Sequence, residues 1–273
     1  CYNNTEVTKL SDAWDGGGGD YHTTYFPQPT YVSSRMYFMH QDGYSYSELD
    51  FRADDYHEII TWSDSVSAVF YSADTYKALV SKLTEYLGRQ PMLPDWAMKG
   101  IWIGVQGGSE RVCELRDKCR SAGMDVSGVW IQDWVGKRIT SFGKRLQWDW
   151  WWHPDVYPKL DEIIANDEAK WLVYINPNLV EGGKLFPICK ENGYFVKNAE
   201  GEDYITDFGE YNCGHIDFTN PEAYNWYKEH IKNEIKKTGI RGWMADFGEY
   251  LPHDVVCYNG ETGMTAHNAY PVW

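Results

Sequence analysis

Two carboxylates three residues apart, Asp246 and Glu249, stand in the segment RGWMADFGEY at positions 241–250. The segment begins like an inward-packed β-strand, and its residues Trp243 and Phe247 are expected to bury Asp246. A carboxylate at the end of a strand either caps the next element or belongs to a site, where it can act as a nucleophile or as an acid or base. The composition and the ends of the other strands decide between these two interpretations.

A second stretch that could do chemistry is the basic segment QDWVGKRITSFGKRLQW at positions 132–148, which contains Trp134 and Trp148. No acidic residue lies between Asp133 and Asp149. That interval contains four basic residues, Lys137, Arg138, Lys144 and Arg145. Because the whole chain has a net charge of −15, this local excess of cations suits a sugar with a fixed negative charge. The alternative is a solvated loop whose cations balance nearby acids.

The amino-acid composition limits the size of the domains and the classes of ligand that are expected. The 273 residues, 43% of them hydrophobic, suffice for one large domain or for a domain with a smaller partner. Fourteen Trp and 21 Tyr suit flat, hydroxylated ligands such as sugars when they surround a cleft. The net charge of −15 argues against nucleic acids and anionic membranes as partners. No apolar run approaches the roughly 18 residues of a membrane span.

The cysteine and histidine patterns predict neither a metal nor an organic cofactor. The six cysteines form no CxxC pair and no zinc-finger spacing, and the eight histidines form no HExxH pair. Reduced thiols and a cytoplasmic enzyme are therefore favoured. The chain begins with Cys1 and stops at NAYPVW without a terminating element, so both ends are expected to be cut. The oligomeric state is not indicated.

The predicted secondary structure changes near Pro91–Pro94, where the segment GRQPMLPDW is typical of a linker. Before this point, an antiparallel sheet is predicted by three short β-rich runs, TTYFPQPTYVSSRMYFMH, HEIITW and SAVFYS. A helix is predicted after them, over about Thr75–Leu87. After it, four apolar runs alternate with helical patterns: GIWIGVQ, VSGVWIQDW, KWLVYINP and RGWMADFGE. Strands that are apolar throughout and joined by helices imply a parallel α/β sheet. A (β/α)8 barrel is the first candidate and a doubly wound sheet the second.

The positions of polar residues favour the barrel. Gln106, Gln132 with Asp133, Asn176 and Asp246 all follow the carboxyl ends of predicted strands. Barrel enzymes build their active sites on this face. Single strand ends carry less weight, because Asn176 before Pro177 could be a turn residue and Asp133 could cap a helix.

The segment GWMADFGEYLP resembles the nucleophile strand of glycoside hydrolase family 31, and the wider pattern is similar to the sulfoquinovosidases within it. The similarity runs from about YFPQPTYVSS to the last residue and includes LGRQPMLPDW, GVQGGSERV, the basic segment and DFTNPEAY. It implies a TIM barrel preceded by an antiparallel β-sandwich. Residues 1–90 would be the carboxyl-terminal part of the sandwich with its connecting helix. Residues 91–273 would be about the first four β/α units of the barrel.

The resemblance also implies roles for particular residues. Asp246 falls on the nucleophile position of a retaining α-glycosidase, and Glu249 is expected to orient Asp246 or to accept a hydrogen bond from neighbouring residues. Gln132, Arg145 and Trp148 coincide with positions that recognise a sulfonate. The predicted substrate-binding set is Gln132, Asp133, Arg145, Trp148 and Glu249. The acid/base residue of the family lies beyond the end of this chain, so none is assigned here.

The resemblance implies a retaining hydrolase that cleaves α-linked sulfoquinovosides, such as deacylated plant sulfolipid, by double displacement. The expected partner is a small anionic sugar. The first alternative is a family 31 α-glucosidase for neutral substrates, and the second is a non-catalytic carbohydrate-binding protein with the same fold. The isolated chain is expected to be inactive, because general acid catalysis typically contributes about 10² to 10⁴-fold, and to be poorly soluble or loosely packed.

Overall fold

The computed structural model describes residues 28–141 and 143–272. The described residues divide into two compact units, the first ending at Met92 and the second beginning at Leu93. Within the described ranges, no helix has the length and apolar character needed to cross a membrane. The five described cysteines are free thiols, as the spacing predicts, and Cys1 lies outside the described residues.

The first unit contains the antiparallel sheet that the β-rich runs predict. Its strands are β1 (Thr30–Ser33), β2 (Tyr37–Gln41), β3 (Ser47–Asp50), β4 (Glu58–Thr61) and β5 (Ala68–Ser72). Strand β2 pairs antiparallel with both β1 and β5, and β3 pairs antiparallel with β4. The predicted run that starts at Thr23 lies outside the described residues up to Pro27.

A helix follows β5 where the sequence predicts one. Helix α1 spans Tyr76–Leu87, and the Thr75 side chain accepts a hydrogen bond from the backbone N–H of Ala78. This is the usual way to satisfy a free donor at the start of a helix. The helix ends before Gly88, whose φ of 94° suits glycine better than any residue with a side chain.

The second unit is built on a four-stranded parallel sheet. Its strands are β6 (Ile101–Gly104), β7 (Val126–Trp130), β10 (Lys170–Ile175) and β14 (Gly242–Ala245). Their order across the sheet is β14, β10, β7, β6, and every neighbouring pair is parallel. Chain order and spatial order thus agree, as expected when each strand is joined to its neighbour by a crossover connection.

Helices and short turns of 3₁₀ helix lie before, between and after these strands. The helices are α2 (Trp96–Lys99), α3 (Ser109–Ser121), α4 (Leu160–Ala165), α5 (Phe186–Asn192), α6 (Pro221–Thr238) and α7 (Gly263–Ala269). The 3₁₀ turns are Gln132–Val135, Gly248–Tyr250 and Tyr270–Val272. Helix α6 begins after Asn220, whose side chain accepts from the backbone N–H of Glu222, and it ends at Gly239 in the left-handed conformation.

Two antiparallel insertions interrupt the alternation of strand and helix, and the sequence analysis missed both. One is a hairpin of β8 (Lys137–Thr140) and β9 (Gly143–Leu146). The other is a sheet of β11 (Asn178–Val180), β12 (Ile205–Asp207) and β13 (Asn212–His215), with β13 in the centre. Strands of three or four residues are too short to show a reliable period of two.

Burial differs between the inner and outer strands of the parallel sheet. All but the last residue of β7 and all but the first of β10 are buried. In the outer strands, Trp102 and Trp243 are about half exposed. Trp243 retains 44% of its exposure because no described strand covers the outer side of β14, so the inward packing expected of this strand is not seen there. Asp246 itself is half-buried, and its burial by Trp243 stays a prediction.

Candidate active site

The parallel sheet brings its polar strand ends to one edge. The backbone N–H of Val105 donates to the carbonyl of Trp130, and the N–H of Asp246 donates to the carbonyl of Ile175. These bonds extend the strand pairing to the residues just beyond the strands. Gln106, Gln132 and Asp246 therefore follow strand ends at the same edge of the sheet, with β10 between the strands of Gln132 and Asp246.

Asp246 is half-buried and is held by one tyrosine. The hydroxyl of Tyr174, on the adjacent strand β10, donates to Asp246 Oδ2 at 2.9 Å. Burial raises the pKa of Tyr174, and the charges of Asp246 and Glu249 act in the same direction, so the phenol remains a donor. No hydrogen-bond donor to Asp246 Oδ1 is found in the described part of the chain. That oxygen is available to a ligand.

The backbone turns sharply just after Asp246. Phe247 has φ 59° and ψ 22°, in the left-handed region that residues with a side chain seldom adopt. Its ring packs against Trp148, with 5.0 Å between ring centroids, and against Tyr250 at 5.2 Å. Such backbone strain is concentrated at functional sites, where the surrounding packing holds it. Here the turn joins the Asp246 strand end to Trp148.

Glu249 lies in the 3₁₀ turn Gly248–Tyr250 and does not hydrogen bond to Asp246 in the described structure. Burial raises the pKa of Glu249, and the negative charge of Asp246 acts in the same direction. The donor that orients Asp246 is therefore Tyr174, a residue that the sequence analysis did not single out.

Asp133 is enclosed by its own chain. It is 1% exposed, and its carboxylate accepts from the Tyr157 hydroxyl and from the backbone N–H of Gly107 at 2.9 Å. Lys137 Nζ lies 3.1 Å from Asp133 Oδ2. These contacts tie together the loops that follow β6 and β7. They also occupy both carboxylate oxygens, which leaves little capacity for a ligand.

Gln132 reaches the neighbouring strand end. Gln106 Nε2 donates to Gln132 Oε1 at 2.6 Å, and Gln132 Nε2 has no hydrogen-bond acceptor within the described ranges. A free amide N–H donor remains at this edge of the sheet. The sequence analysis placed Gln106 at a strand end but did not include it among the site residues.

Asn176 differs from the other strand-end residues. It is buried, and its Oδ1 accepts from the backbone N–H of Asn178 at 2.8 Å. Its carbonyl oxygen accepts from the Tyr227 hydroxyl at 3.0 Å. These contacts match the alternative interpretation of Asn176 as a turn residue.

The basic segment folds into the β8–β9 hairpin, which carries Arg145 on β9. Arg145 is exposed, and no carboxylate pairs with it among the described residues. Arg138 is directly opposite Arg145 in the register of the hairpin. Side chains directly opposite in an antiparallel pair project from the same face, so two guanidinium groups share one face of this hairpin.

Trp148 follows the hairpin and is enclosed by aromatic rings. It is 5% exposed, with its ring centroid 4.9 Å from Phe208 and 5.5 Å from Tyr211. The described residues offer no hydrogen-bond acceptor to the indole N–H of Trp148. Packing therefore fixes the position of this ring, next to Phe247 and the Asp246 strand end, while its donor remains unused.

The aromatic neighbours of Trp148 belong to the turn at residues 208–211, between β12 and β13. Sequence reasoning missed this turn. Its only local signal is FGEY at 208–211, which repeats the letters FGEY at 247–250 without any indication of a contact. The structure shows that Phe208 packs against Tyr250, with centroids 5.7 Å apart.

Comparison with known proteins identifies the family to which the strands and helices of this edge are similar. Residues 90–273 match the TIM-barrel domain of the glycosyl hydrolases of family 31. The chain is 48% identical over 271 residues to a sulfoquinovosidase of Escherichia coli and 45% identical over 272 residues to one of Agrobacterium fabrum. These alignments cover 98% of this chain but only 40% and 41% of the relatives, respectively.

A solved structure shows the same fold over nearly the whole chain. It is a family 31 sulfoquinovosidase from E. rectale in complex with an aza-sugar inhibitor, with 49% sequence identity and a TM-score of 0.88. The match covers 97% of this chain and 40% of that protein. Since the family's barrel domain matches well over half of the chain, on the strands that carry the polar edge, the chain belongs to glycoside hydrolase family 31.

Proposed function

We propose that the protein carrying this chain is a retaining α-glycoside hydrolase acting on sulfoquinovosides, with Asp246 as nucleophile. The observation that carries this proposal is the placement of Trp148, which links the basic hairpin to the Asp246 strand end through Phe247. The basic hairpin is thus connected through these two rings to Asp246, whose Oδ1 has no described donor. The similarity to sulfoquinovosidases of about half sequence identity supports the anionic substrate.

The proposed chemistry uses Asp246 Oδ1, the oxygen without a described protein donor. This carboxylate attacks the anomeric carbon and forms a covalent glycosyl-enzyme, which water then hydrolyses. Tyr174 holds the other oxygen and so orients the nucleophile. A second carboxyl group, about 5 to 5.5 Å away, must protonate the leaving group. No residue of this chain is assigned to that role.

The proposed sulfonate site combines one charged donor with two neutral donors. A sulfonate is ionised at all physiological pH values and has three acceptor oxygens. Arg145 supplies charge-assisted hydrogen bonds, and the Trp148 indole N–H and the Gln132 amide complete the set. All three have donors that the described protein leaves unused. A neutral glucoside would leave the guanidinium of Arg145 unpaired, at a cost of about 1 to 3 kcal/mol.

Within this proposal Asp133 is a positioning residue, although the sequence predicts contact with substrate. Its contacts with Tyr157, Gly107 and Lys137 support a role in fixing the loop that carries Gln132. Glu249 remains a candidate for contact with substrate hydroxyls, because it is partly exposed beside Asp246.

The same proposal includes the architecture. We infer that the four parallel strands are about half of a (β/α)8 barrel and that the antiparallel strands before Met92 belong to a β-sandwich. The exposed apolar side chains of β6 and β14 support the first part, because a closed barrel has no unpaired edge strand. Strand pairs β1–β2–β5 and β3–β4 support the second.

The proposal is tested by assaying the complete protein on an α-sulfoquinovoside and on the matching α-glucoside. We expect a preference for the sulfonated substrate in kcat/KM. Comparable or faster hydrolysis of the glucoside would instead identify a neutral α-glucosidase. Saturable binding of the sugar without turnover would identify a carbohydrate-binding protein.

The contribution of Arg145 is tested by Arg145→Ala, with Lys144→Ala on the other face of the same hairpin as the control. Arg145 is exposed in the free protein, and a bound sulfonate would cover it. Loss of the charge-assisted contact so formed is worth about 2 to 5 kcal/mol, or roughly 30-fold to several thousandfold in kcat/KM on the sulfoquinovoside. We expect a much smaller loss on the glucoside and little change in the control. Equal losses on both substrates would show that Arg145 has a structural role.

A further inference from the structure

Arg138 holds a buried guanidinium group that the proposed reaction does not use. Its three side-chain nitrogens are buried, and none has a hydrogen-bond partner among the described residues. Its Cζ lies 3.4 Å from the centroid of the Tyr211 ring. The guanidinium therefore stacks on the face of an aromatic ring, an arrangement that stabilises a cation without an acceptor.

A second contact holds the same hairpin to the same turn. The carboxylate of Glu210 accepts hydrogen bonds from the backbone N–H of Ser141, at 2.7 and 2.9 Å, and from the Ser141 hydroxyl. Ser141 lies at the tip of the hairpin, between β8 and β9. The turn at 208–211 thus binds the hairpin at its tip through Glu210 and along its length through Tyr211.

The turn also supports Trp148. Phe208 and Tyr211 are stacked on each other, with centroids 5.7 Å apart, and both contact Trp148 edge-on. Tyr211 therefore contacts Arg138 through its ring face and Trp148 as well. Tyr211 therefore connects strand β8 of the hairpin to the Trp148 ring. Strand β8 lies opposite Arg145, and the Trp148 ring packs on Phe247, next to Asp246.

The charge of Arg138 is unfavourable unless an anion is close. Burial lowers the pKa of Arg138, but a guanidinium stays protonated in proteins. No carboxylate pairs with either Arg138 or Arg145 in the described part of the chain. Like charges directly opposite on a sheet repel each other. The Tyr211 ring face offsets part of this cost for Arg138, and a negatively charged ligand bound at this face would offset more of it.

We propose that Arg138 and Tyr211 form a positioning pair that selects for an anionic sugar by fixing the hairpin and adding a second positive charge behind Arg145. This inference rests on the proposed sulfoquinovosidase function. Arg138 acts through Arg145 and the hairpin, because its guanidinium nitrogens are buried whereas Arg145, directly opposite it, is exposed. The pair is thus a determinant of specificity outside the set of side chains that touch the sulfonate.

The test compares Arg138→Gln, Arg138→Lys and Tyr211→Leu with wild type and with the exposed control Lys144→Gln, all in the complete protein. KM and kcat are measured on the α-sulfoquinovoside and on the matching α-glucoside. For Arg138→Gln and Tyr211→Leu we expect KM on the sulfoquinovoside to rise about 5- to 30-fold, the range of a desolvated cation–π contact. The value of kcat on the sulfoquinovoside, and both constants on the glucoside, should change less than about twofold.

Two comparisons separate positioning from general loss of structure. Arg138→Lys keeps the charge but not the planar stack, so its KM should lie between those of wild type and Arg138→Gln. The double variant Arg138→Gln with Tyr211→Leu should have about the same KM as Tyr211→Leu alone, because Tyr211→Leu already removes the contact with Arg138 as well as its own contact with Trp148. Thermal unfolding midpoints check that each variant is folded.

The outcomes distinguish a failure of the positioning pair from a failure of the proposed function. If wild type prefers the sulfoquinovoside and Arg138→Gln weakens both substrates equally, or neither, the positioning pair is refuted while the proposed function stands. If wild type has no preference for the sulfonated sugar, the proposed function fails and the inference fails with it. A variant that no longer folds, while Arg138→Lys folds with unchanged KM, would also refute the pair, since the charge alone would then suffice.

Discussion

An aspartate follows both strand β7 and strand β14, but the two aspartates differ in burial and in the number of protein groups that contact them. Asp133, after β7, is enclosed and engaged by Tyr157, Gly107 and Lys137. Asp246, after β14, remains half-exposed with Tyr174 as its described side-chain donor. Position at a strand end is the same in both cases. The number of donors supplied by the protein separates a carboxylate that holds loops together from one that is free to react.

This contrast places the proposed chemistry at Asp246 and the proposed structural role at Asp133. A carboxylate whose two oxygens are both occupied by protein donors has little capacity left for a substrate. A carboxylate with one donor is oriented but keeps a free oxygen. Variants at the two aspartates and at their two tyrosine donors test this contrast.

The largest effect is expected for Asp246→Asn, which removes the nucleophile but retains the shape of the side chain. Turnover of sulfoquinovoside by the complete protein should fall on the order of 10⁴-fold or more, with substrate binding largely intact. Asp254→Asn is the matched control, because Asp254 is an exposed carboxylate nearby that accepts only from Tyr204 in the described residues. Near-normal activity of Asp246→Asn would show that the nucleophile is another residue.

A smaller effect is expected for Tyr174→Phe, which removes the side-chain donor to Asp246. A hydrogen bond to a charged group contributes about 1.5 to 3 kcal/mol, so kcat should fall about 10- to 150-fold with little change in KM. Tyr157→Phe is the matched control at Asp133, where we expect loss of stability and a much smaller loss of kcat. If both variants lowered kcat equally, the distinction between the two aspartates would be wrong.

The third variant, Asp133→Asn, should affect stability more than chemistry. An asparagine has one acceptor oxygen, so it cannot satisfy Tyr157, Gly107 and Lys137 together. We expect a loss of about 2 to 4 kcal/mol in the free energy of unfolding, measured by thermal or denaturant unfolding. A fall in kcat as large as that of Asp246→Asn, with an unchanged unfolding midpoint, would assign Asp133 to the chemistry instead.

The smallest effect concerns Glu249, the carboxylate beside Asp246. Burial raises the pKa of Glu249 above its ordinary value of 4.5. Between that value and the raised pKa, the folded state binds more protons than the unfolded state. The contribution of Glu249 to stability is therefore fully present below the ordinary pKa and is lost as the pH rises through the folded pKa.

Glu249→Gln should remove this dependence. The unfolding midpoint of the variant, relative to wild type, is expected to rise as the pH is increased from about 4 to about 7. The measurement is a pair of thermal unfolding curves for each protein at the two pH values. A constant difference between variant and wild type would mean that Glu249 titrates normally in the folded protein.

Much of the fold could be predicted from local patterns. The runs GIWIGVQ and KWLVYINP became strands β6 and β10, and the helix predicted over about Thr75–Leu87 became helix α1. Thr75 could be placed at the start of that helix because a capping side chain acts on backbone groups two or three residues away. The position of Asp246 just after an apolar strand was evident for the same reason, since strand ends are local features.

Other parts of the site depend on residues far apart in the sequence. Tyr174 and Asp246 are separated by 72 positions, and their contact exists only because β10 and β14 pair in parallel. The exposure of Trp243 was likewise mispredicted, because burial of a strand depends on what lies beside it. Periodicity reports which face of an element is apolar, but not which neighbour covers it.

The alternation of strand and helix, the family motif around Asp246 and the excess of positive charge at 132–148 could all be predicted from neighbouring residues. The enclosure of Asp133, the contact of Tyr174 with Asp246 and the stacking of Arg138 on Tyr211 depend on the folded chain. This is because donors, ring faces and buried charges act over a few ångströms in space. Which groups come that close depends on strand pairing and loop packing across the whole chain.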